Sequence, residues 1–180
     1  MKIFNPPKLQ TTFFYGWVIV GCSVLAETAS AWTGLYGLTV LLIPMSEDLG
    51  WTRAQLVGAS TMAGVVGGLA SPLFGRLIDN QGVRITMTIS AIVGAIALGM
   101  ISTVSELWVY YLLFGLVLGI TRPLTMFLGV ATALANWFIQ KRGRVTAIAS
   151  TGVPIAAILG IPLTQLIAIH YGWRPTWLVL

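Results

Sequence analysis

Charge is what this sequence has least of. Only 8% of its 180 residues are Asp, Glu, Lys or Arg, while 57% are hydrophobic. An average soluble domain carries roughly 25% charged residues, so a chain this poor in charge cannot cover a water-facing surface. A single cysteine, Cys22, excludes an internal disulfide and says nothing about redox compartment. The one histidine, His170, lacks the partners that zinc coordination or acid–base chemistry would need. No glycine-rich nucleotide-binding loop occurs, which argues against bound ATP. Neither cofactor nor metal is therefore expected. The formal net charge of +5 would suit nucleic acid if the basic residues formed a face. They fall instead in particular loops, and no nucleic-acid partner is expected. No soluble domain, long linker or low-complexity segment is present.

What remains is a series of long apolar runs, several reaching the length of a membrane-spanning helix. In lipid every backbone polar group needs an internal partner, which leaves helices or a closed barrel. A barrel would alternate apolar and polar residues along short strands. These runs are continuously apolar, so the expected class is an all-α membrane protein. Spans are expected at about 14–43, 54–74, 85–103, 107–135 and 145–169, with an incomplete sixth at 176–180, and residues 1–13 form the N-terminal segment. Nothing polar closes the last run, so the chain is expected to stop inside its sixth helix. Ile19-Val20-Gly21-Cys22 resembles a lipoprotein cleavage box. A cleaved leader would give way to polar chain, whereas this run stays largely apolar to Ile43, as an uncleaved first span would.

Local signals punctuate the runs. Pro44 is expected to end the first span, with Gly34 and Gly37 as places for a bend. Thr52 followed by Gln55 fits a capping box opening the second helix. Gly75 to Arg84 reads as a loop in which Gly75 and Gly82 permit tight turns. Pro72, Pro123, Pro154 and Pro162 free carbonyls inside spans and allow kinks. Small residues recur at four-residue spacing, in Ala26/Ser30/Gly34, Gly64/Gly68, Ala91/Ala95/Gly99, Gly115/Gly119 and Gly152/Ala156/Gly160. Such rows let helix backbones approach closely.

The basic residues set an orientation. Lys2, Lys8, Arg76, Arg84, Lys141, Arg142 and Arg144 fall on one side, against Arg53 and Arg174 on the other. The positive-inside rule places the N-terminus and the two richer loops in the cytoplasm. Trp17 and Trp137 then sit near the inner interface, and Trp51, Trp108 and Trp173 near the outer one.

Two ionisable residues lie deep in apolar spans: Glu27 in the first and Arg122 in the fourth. A central charge costs roughly 2.5–3.5 kcal/mol on the translocon scale, so such residues face a cavity or a partner. Counted from the cytoplasmic ends of their spans, both lie roughly 20 Å deep, which makes a pairing geometrically possible. One reading has Arg122 bind an anionic group through its planar fork while Glu27 carries a coupling proton. The other has the two form a permanent buried ion pair that fixes helix register.

The segment Gly75-Arg76-Leu77-Ile78-Asp79-Asn80-Gln81-Gly82-Val83-Arg84 resembles the signature between helices two and three of the major facilitator superfamily. Gly75, Leu77, Asp79, Gly82 and Arg84 match. Asn80 and Val83 stand where that family usually has a basic residue. The resemblance implies a fold of two six-helix halves, each made of two inverted three-helix repeats, of which this chain would be the N-terminal one. It also implies that helices one and four line a central cavity, and that Asp79, with Gly75, Gly82 and Arg84, belongs to a cytoplasmic gating latch. Tyr15-Gly16-Trp17, Leu49-Gly50-Trp51-Thr52-Arg53, Trp137-Phe138-Ile139-Gln140-Lys141-Arg142-Gly143-Arg144 and Tyr171-Gly172-Trp173-Arg174 are similar to the monocarboxylate and oxalate:formate branch. Ile148 departs from the glycine common there.

The expectation is a secondary transporter in the plasma membrane, the inner membrane if the source is bacterial. It would move a small organic anion by alternating access as an ion-coupled symporter or an antiporter, with the lipid bilayer and a missing C-terminal half as partners. A multidrug or neutral-solute exporter is the alternative within the class. Outside it stand a membrane-embedded enzyme, for which no convergent catalytic cluster appears, and an assembly subunit, in which Glu27 and Arg122 would be inert.

Overall fold

The computed structural model describes residues 15–138 and 141–180. Lys2, Lys8 and Gln140, expected on the cytoplasmic side, lie outside them. The described residues form helices and no strands. Five helices are long and apolar enough to cross a membrane: α1 (Gly16–Leu49), α2 (Arg53–Gln81), α3 (Val83–Ile101), α4 (Leu107–Trp137) and α5 (Arg142–Tyr171). A shorter α6 (Trp173–Val179) follows. The chain is a multi-pass helical membrane protein.

Helix α1 runs past Pro44 to Leu49, beyond the expected stop. Proline removes one donor and crowds the carbonyl four residues back, but the extra turn is held by packing. Met45 is fully buried, and the indole Nε1 of Trp177 lies 3.4 Å from its sulfur. The helix ends where Gly50 takes a left-handed conformation, φ +67°. The bend expected at Gly34 is a π-helical turn over Trp32–Tyr36. At the start of α2 the capping box is present: Thr52 Oγ1 accepts from the Gln55 backbone N–H, and the Gln55 side chain accepts from the Thr52 N–H.

The expected loop from Gly75 to Arg84 shrinks to one residue. Phe74 and Ile78 carry the buried stripe of α2 onward against Leu124 of α4, so the helix continues to Gln81 and Gly75 is helical. Only Gly82 leaves it, at φ +85° and ψ 151°, a backbone that favours glycine. The α5–α6 junction repeats the device at Gly172, φ +83°. In each case the glycine N–H donates 2.9 Å to the carbonyl four residues back. In each the glycine carbonyl accepts from a buried threonine hydroxyl four residues on, Thr86 at 2.9 Å and Thr176 at 2.7 Å. Gly82-Val83-Arg84-Ile85-Thr86 and Gly172-Trp173-Arg174-Pro175-Thr176 are thus one structural unit used twice, once in each three-helix repeat.

Two apolar clusters pin the bundle at its ends. The first gathers Leu41, Met45, Leu56, Ile101, Tyr110, Phe114 and Trp177; the second gathers Val20, Val130, Leu134, Phe138, Val145 and Ala149. The second end also holds Arg76 and Arg84, on either side of Gly82, with Lys141, Arg142 and Arg144 at the start of α5, and is the basic end of the bundle. Arg53 and Arg174 lie at the far end. There Asp48 closes α1 onto α6, through an ion pair with Arg174 at 3.4 Å and a hydrogen bond from Trp173 Nε1 at 3.1 Å.

Between the clusters the helices touch through small residues, though not all the rows expected. A Cβ on Gly119 of α4 would lie 2.9 Å from the Ala63 backbone, and one on Gly67 of α2 would lie 2.9 Å from the Gly119 carbonyl oxygen. Gly64 and Gly68 face open space instead. On α3 the contact runs through Gly94 and Ala97, while Ala91 and Ala95 are exposed. Four-residue spacing shows that a small-residue face exists and leaves open which of two adjacent faces is buried.

Candidate functional site

The buried face of α1 is the row Gly16, Val20, Ser23, Glu27, Ala31 and Gly34. It packs on α4 and α5, and the middle of it is where the two intramembrane charges lie. Glu27 is only 3% exposed, and its Oε2 has no hydrogen-bond partner among the described residues. Helix α5 comes unusually close there. A Cβ on Gly152 would lie 2.5 Å from the Val24 carbonyl oxygen and 2.9 Å from both Glu27 Cβ and the Thr28 nitrogen. Ser150 and Thr151, ahead of Pro154, interrupt α5 just before this contact. One turn further along, Ala31 meets Met126 and Ala156.

Arg122 reaches α1 higher on the same face. Its guanidinium lies directly against Gly34, in the space a Cβ would occupy. Only glycine leaves that notch open. The Arg122 Nε is buried without a hydrogen-bond partner, and the side chain forms part of the wall of a cavity of about 840 Å³ between α1, α2 and α4. Pro123 follows it, and the helix breaks at Met126, φ −97° and ψ −88°. Thr125 spans the two helices beside the cavity, accepting from Ser30 Oγ at 3.4 Å.

Glu27 and Arg122 therefore do not pair. The ion pair found among the described residues is Asp48–Arg174, and the guanidinium sits at Gly34, two helical turns or about 10 Å from Glu27 along α1. The equal depth expected from span ends is corrected by the true helix ends. Glu27 lies about 16 Å from the start of α1, whereas Arg122 lies about 22 Å from the end of α4. Glu27 is also not among the cavity-lining residues. It is sealed between helices while Arg122 is open to the cavity.

The residues matching the superfamily signature gather at the basic end. Asp79 and Arg84 are exposed, in the last turn of α2 and the first turn of α3, on either side of Gly82. Gly75 stands apart from them, one turn back within α2. Sequence reasoning missed a further contact in the middle layer: Trp32 Nε1 donates 2.7 Å to the fully buried Thr164 of α5. Beside it, Gly160 lies flat against the Trp32 ring. A tryptophan at the middle of a 34-residue span, away from either interface, is the signal that would have found it.

A sequence profile of the Major Facilitator Superfamily matches residues 16–180. The chain belongs to that superfamily. Among its curated relatives, monocarboxylate transporter 12-B of Danio rerio is 28% identical over 172 residues, which cover 92% of this chain and 34% of that protein. The oxalate:formate antiporter of Oxalobacter formigenes is 28% identical over 165 residues, covering 88% and 38%. Monocarboxylate transporter 2 of Mus musculus is 22% identical over 175 residues, covering 97% and 36%. The chain thus spans about a third of the length of the superfamily members it matches.

Proposed function

We propose that the complete protein is a secondary transporter of a small organic anion, working by alternating access, and that Arg122 is its anion ligand in this part of the chain. One observation carries the reading: an unpaired arginine forms part of a cavity wall in the membrane interior, with its guanidinium seated in the Gly34 notch. A buried cation without a partner is costly, and an anionic solute would offset that cost during each cycle. The names of the relatives, monocarboxylate transporters and an oxalate:formate antiporter, favour the same chemistry. Glu27, buried and unpartnered behind the cavity, suits a proton carrier that the solute never touches. Asp79 and Arg84, exposed at the basic end, suit gating better than binding. The positive-inside rule puts that end in the cytoplasm of a plasma-membrane protein.

Uptake of [14C]oxalate and [14C]formate by the complete protein tests this. Arg122→Lys keeps the charge and loses the bidentate fork, so affinity should fall about 10- to 100-fold, the worth of a charge-assisted hydrogen bond. Glu27→Gln should abolish pH-driven uptake and leave solute-for-solute exchange intact. Unchanged affinity in Arg122→Lys and Arg122→Gln would remove Arg122 from the binding site.

A further inference from the structure

The cavity holding Arg122 has a second cation in its wall. Arg53, in the first turn of α2, is exposed and lines the same space. No hydrogen bond or ion pair engages it among the described residues. From it one face of α2 descends through Val57, Ser60 and Gly64 to Gly67, and Gly67 abuts Pro123, beside Arg122. Arg53 therefore stands at one end of the cavity and Arg122 deep within it, with about 20 Å of α2 backbone between Arg53 and the Pro123 level. No carboxylate lines it. The acids at the far end, Glu47, Asp48 and Glu106, are not among its lining residues, and Asp48 is turned to Arg174 and Trp173.

We infer that Arg53 forms an outer anion station, a second and shallower site that draws small carboxylates into the cavity before they reach Arg122. The inference rests on the anion reading proposed for Arg122 and adds a site to it. With about 20 Å of helix between their levels, the two arginines occupy different depths of the cavity, so a small carboxylate meets them in series. The Debye length at physiological ionic strength is about 8 Å. Arg53 therefore governs the mouth and Arg122 the interior, with neither field replacing the other. Two cations in a low-dielectric cleft without a countercharge focus an anion-attracting potential along its length.

The test reads that potential without needing the transported solute. In the complete protein, with native cysteines including Cys22 replaced by serine, Ser60→Cys reports from beneath Arg53 and Ser71→Cys from beside the Pro123 level. Each is reacted with a sulfonate-bearing and a trimethylammonium-bearing methanethiosulfonate, and the ratio of the two rates is measured. Arg53→Gln should lower the anion-to-cation ratio at the Ser60 reporter several-fold, on the order of 5-fold at low salt for a unit charge about 10 Å away. Arg53→Lys should leave it unchanged, and 1 M salt should erase the difference. Arg53 is exposed and engages no polar partner among the described residues, so Arg53→Gln should leave the fold intact, which an unchanged unfolding midpoint checks. An unchanged ratio at Ser60 with a lowered ratio at Ser71 in Arg122→Gln would overturn the outer station and leave the Arg122 reading standing. A ratio unmoved by either change would overturn both.

Discussion

Whether Glu27 and Arg122 are partners or separate devices is decided by a double-mutant cycle on Glu27→Gln and Arg122→Gln. Breaking a contact pair in a buried site costs about 3–5 kcal/mol, and removing both partners restores most of it. The structure calls for a different result. The guanidinium lies against Gly34, two turns from Glu27, and a helical side chain leans toward the N-terminus, which carries the carboxylate further away. At about 10 Å and an effective dielectric of ~20, two unit charges interact by about 1.7 kcal/mol. The coupling energy should therefore stay below about 2 kcal/mol, and the effects of the two single changes on stability should add to within that margin. Reversible unfolding of all four proteins in mixed micelles supplies the numbers. On the roles proposed for them, each residue serves its own step, so transport should fail in the double mutant. A coupling above 3 kcal/mol together with recovered transport would refute both the geometry and the roles drawn from it.

Three further outcomes follow from particular contacts. Gly152→Ala places a Cβ against the fixed backbone at Val24 and Thr28. It should cost about 1–3 kcal/mol by forcing α5 off α1, while Gly64→Ala, which faces open space, should be neutral or slightly stabilising; equal unfolding midpoints for the two would contradict the close approach. If Asp79 gates as proposed, Asp79→Asn should slow cycling and leave solute affinity largely intact; single-turnover uptake separates the two effects, and an affinity loss at constant rate would reverse the assignment. Cysteines placed at Asn80 and Gln140 should label from the cytoplasm, and labelling from outside would invert the orientation.

Much of the fold was legible because lipid leaves few choices. Apolar runs too long for anything but helices, the Thr52–Gln55 box and the lysine and arginine asymmetry each follow from one strong local rule, and the structure has the helices, the box and a basic end. The misreadings share a cause. Pro44 and Gly75 carry ordinary helix-breaking chemistry, but neighbouring burial overrides it: Met45 packs against Trp177, and Phe74 with Ile78 packs against Leu124. The depth error is separate and smaller: counting from residues 14 and 135 makes the two depths equal, whereas the helix ends at Gly16 and Trp137 move them apart. The seat of Arg122 was legible in part. Gly34 stands out as a bend, and that role is met by the π-helical turn. That its missing side chain is also the space a guanidinium fills depends on α4 lying across it, which no window of α1 can report.

The unit Gly82–Thr86 and its copy Gly172–Thr176 show where the repeat ends and individual chemistry begins. Both turns are built alike, from a positive-φ glycine, a carbonyl four residues back and a buried threonine hydroxyl. Both place an arginine in the first turn of the following helix. At the far end that arginine, Arg174, is engaged three ways: by Asp48, by the Ser102 carbonyl at 3.4 Å and by the face of Trp173 at 4.5 Å. Those contacts tie α6 to the ends of α1 and α3. At the basic end Arg84 and Asp79 are both exposed and form no ion pair among the described residues. The same glycine–threonine device thus yields one locked corner and one with a cation and an anion free to engage. A gate needs such an asymmetry, because a corner already satisfied by its own half has nothing left with which to hold or release another.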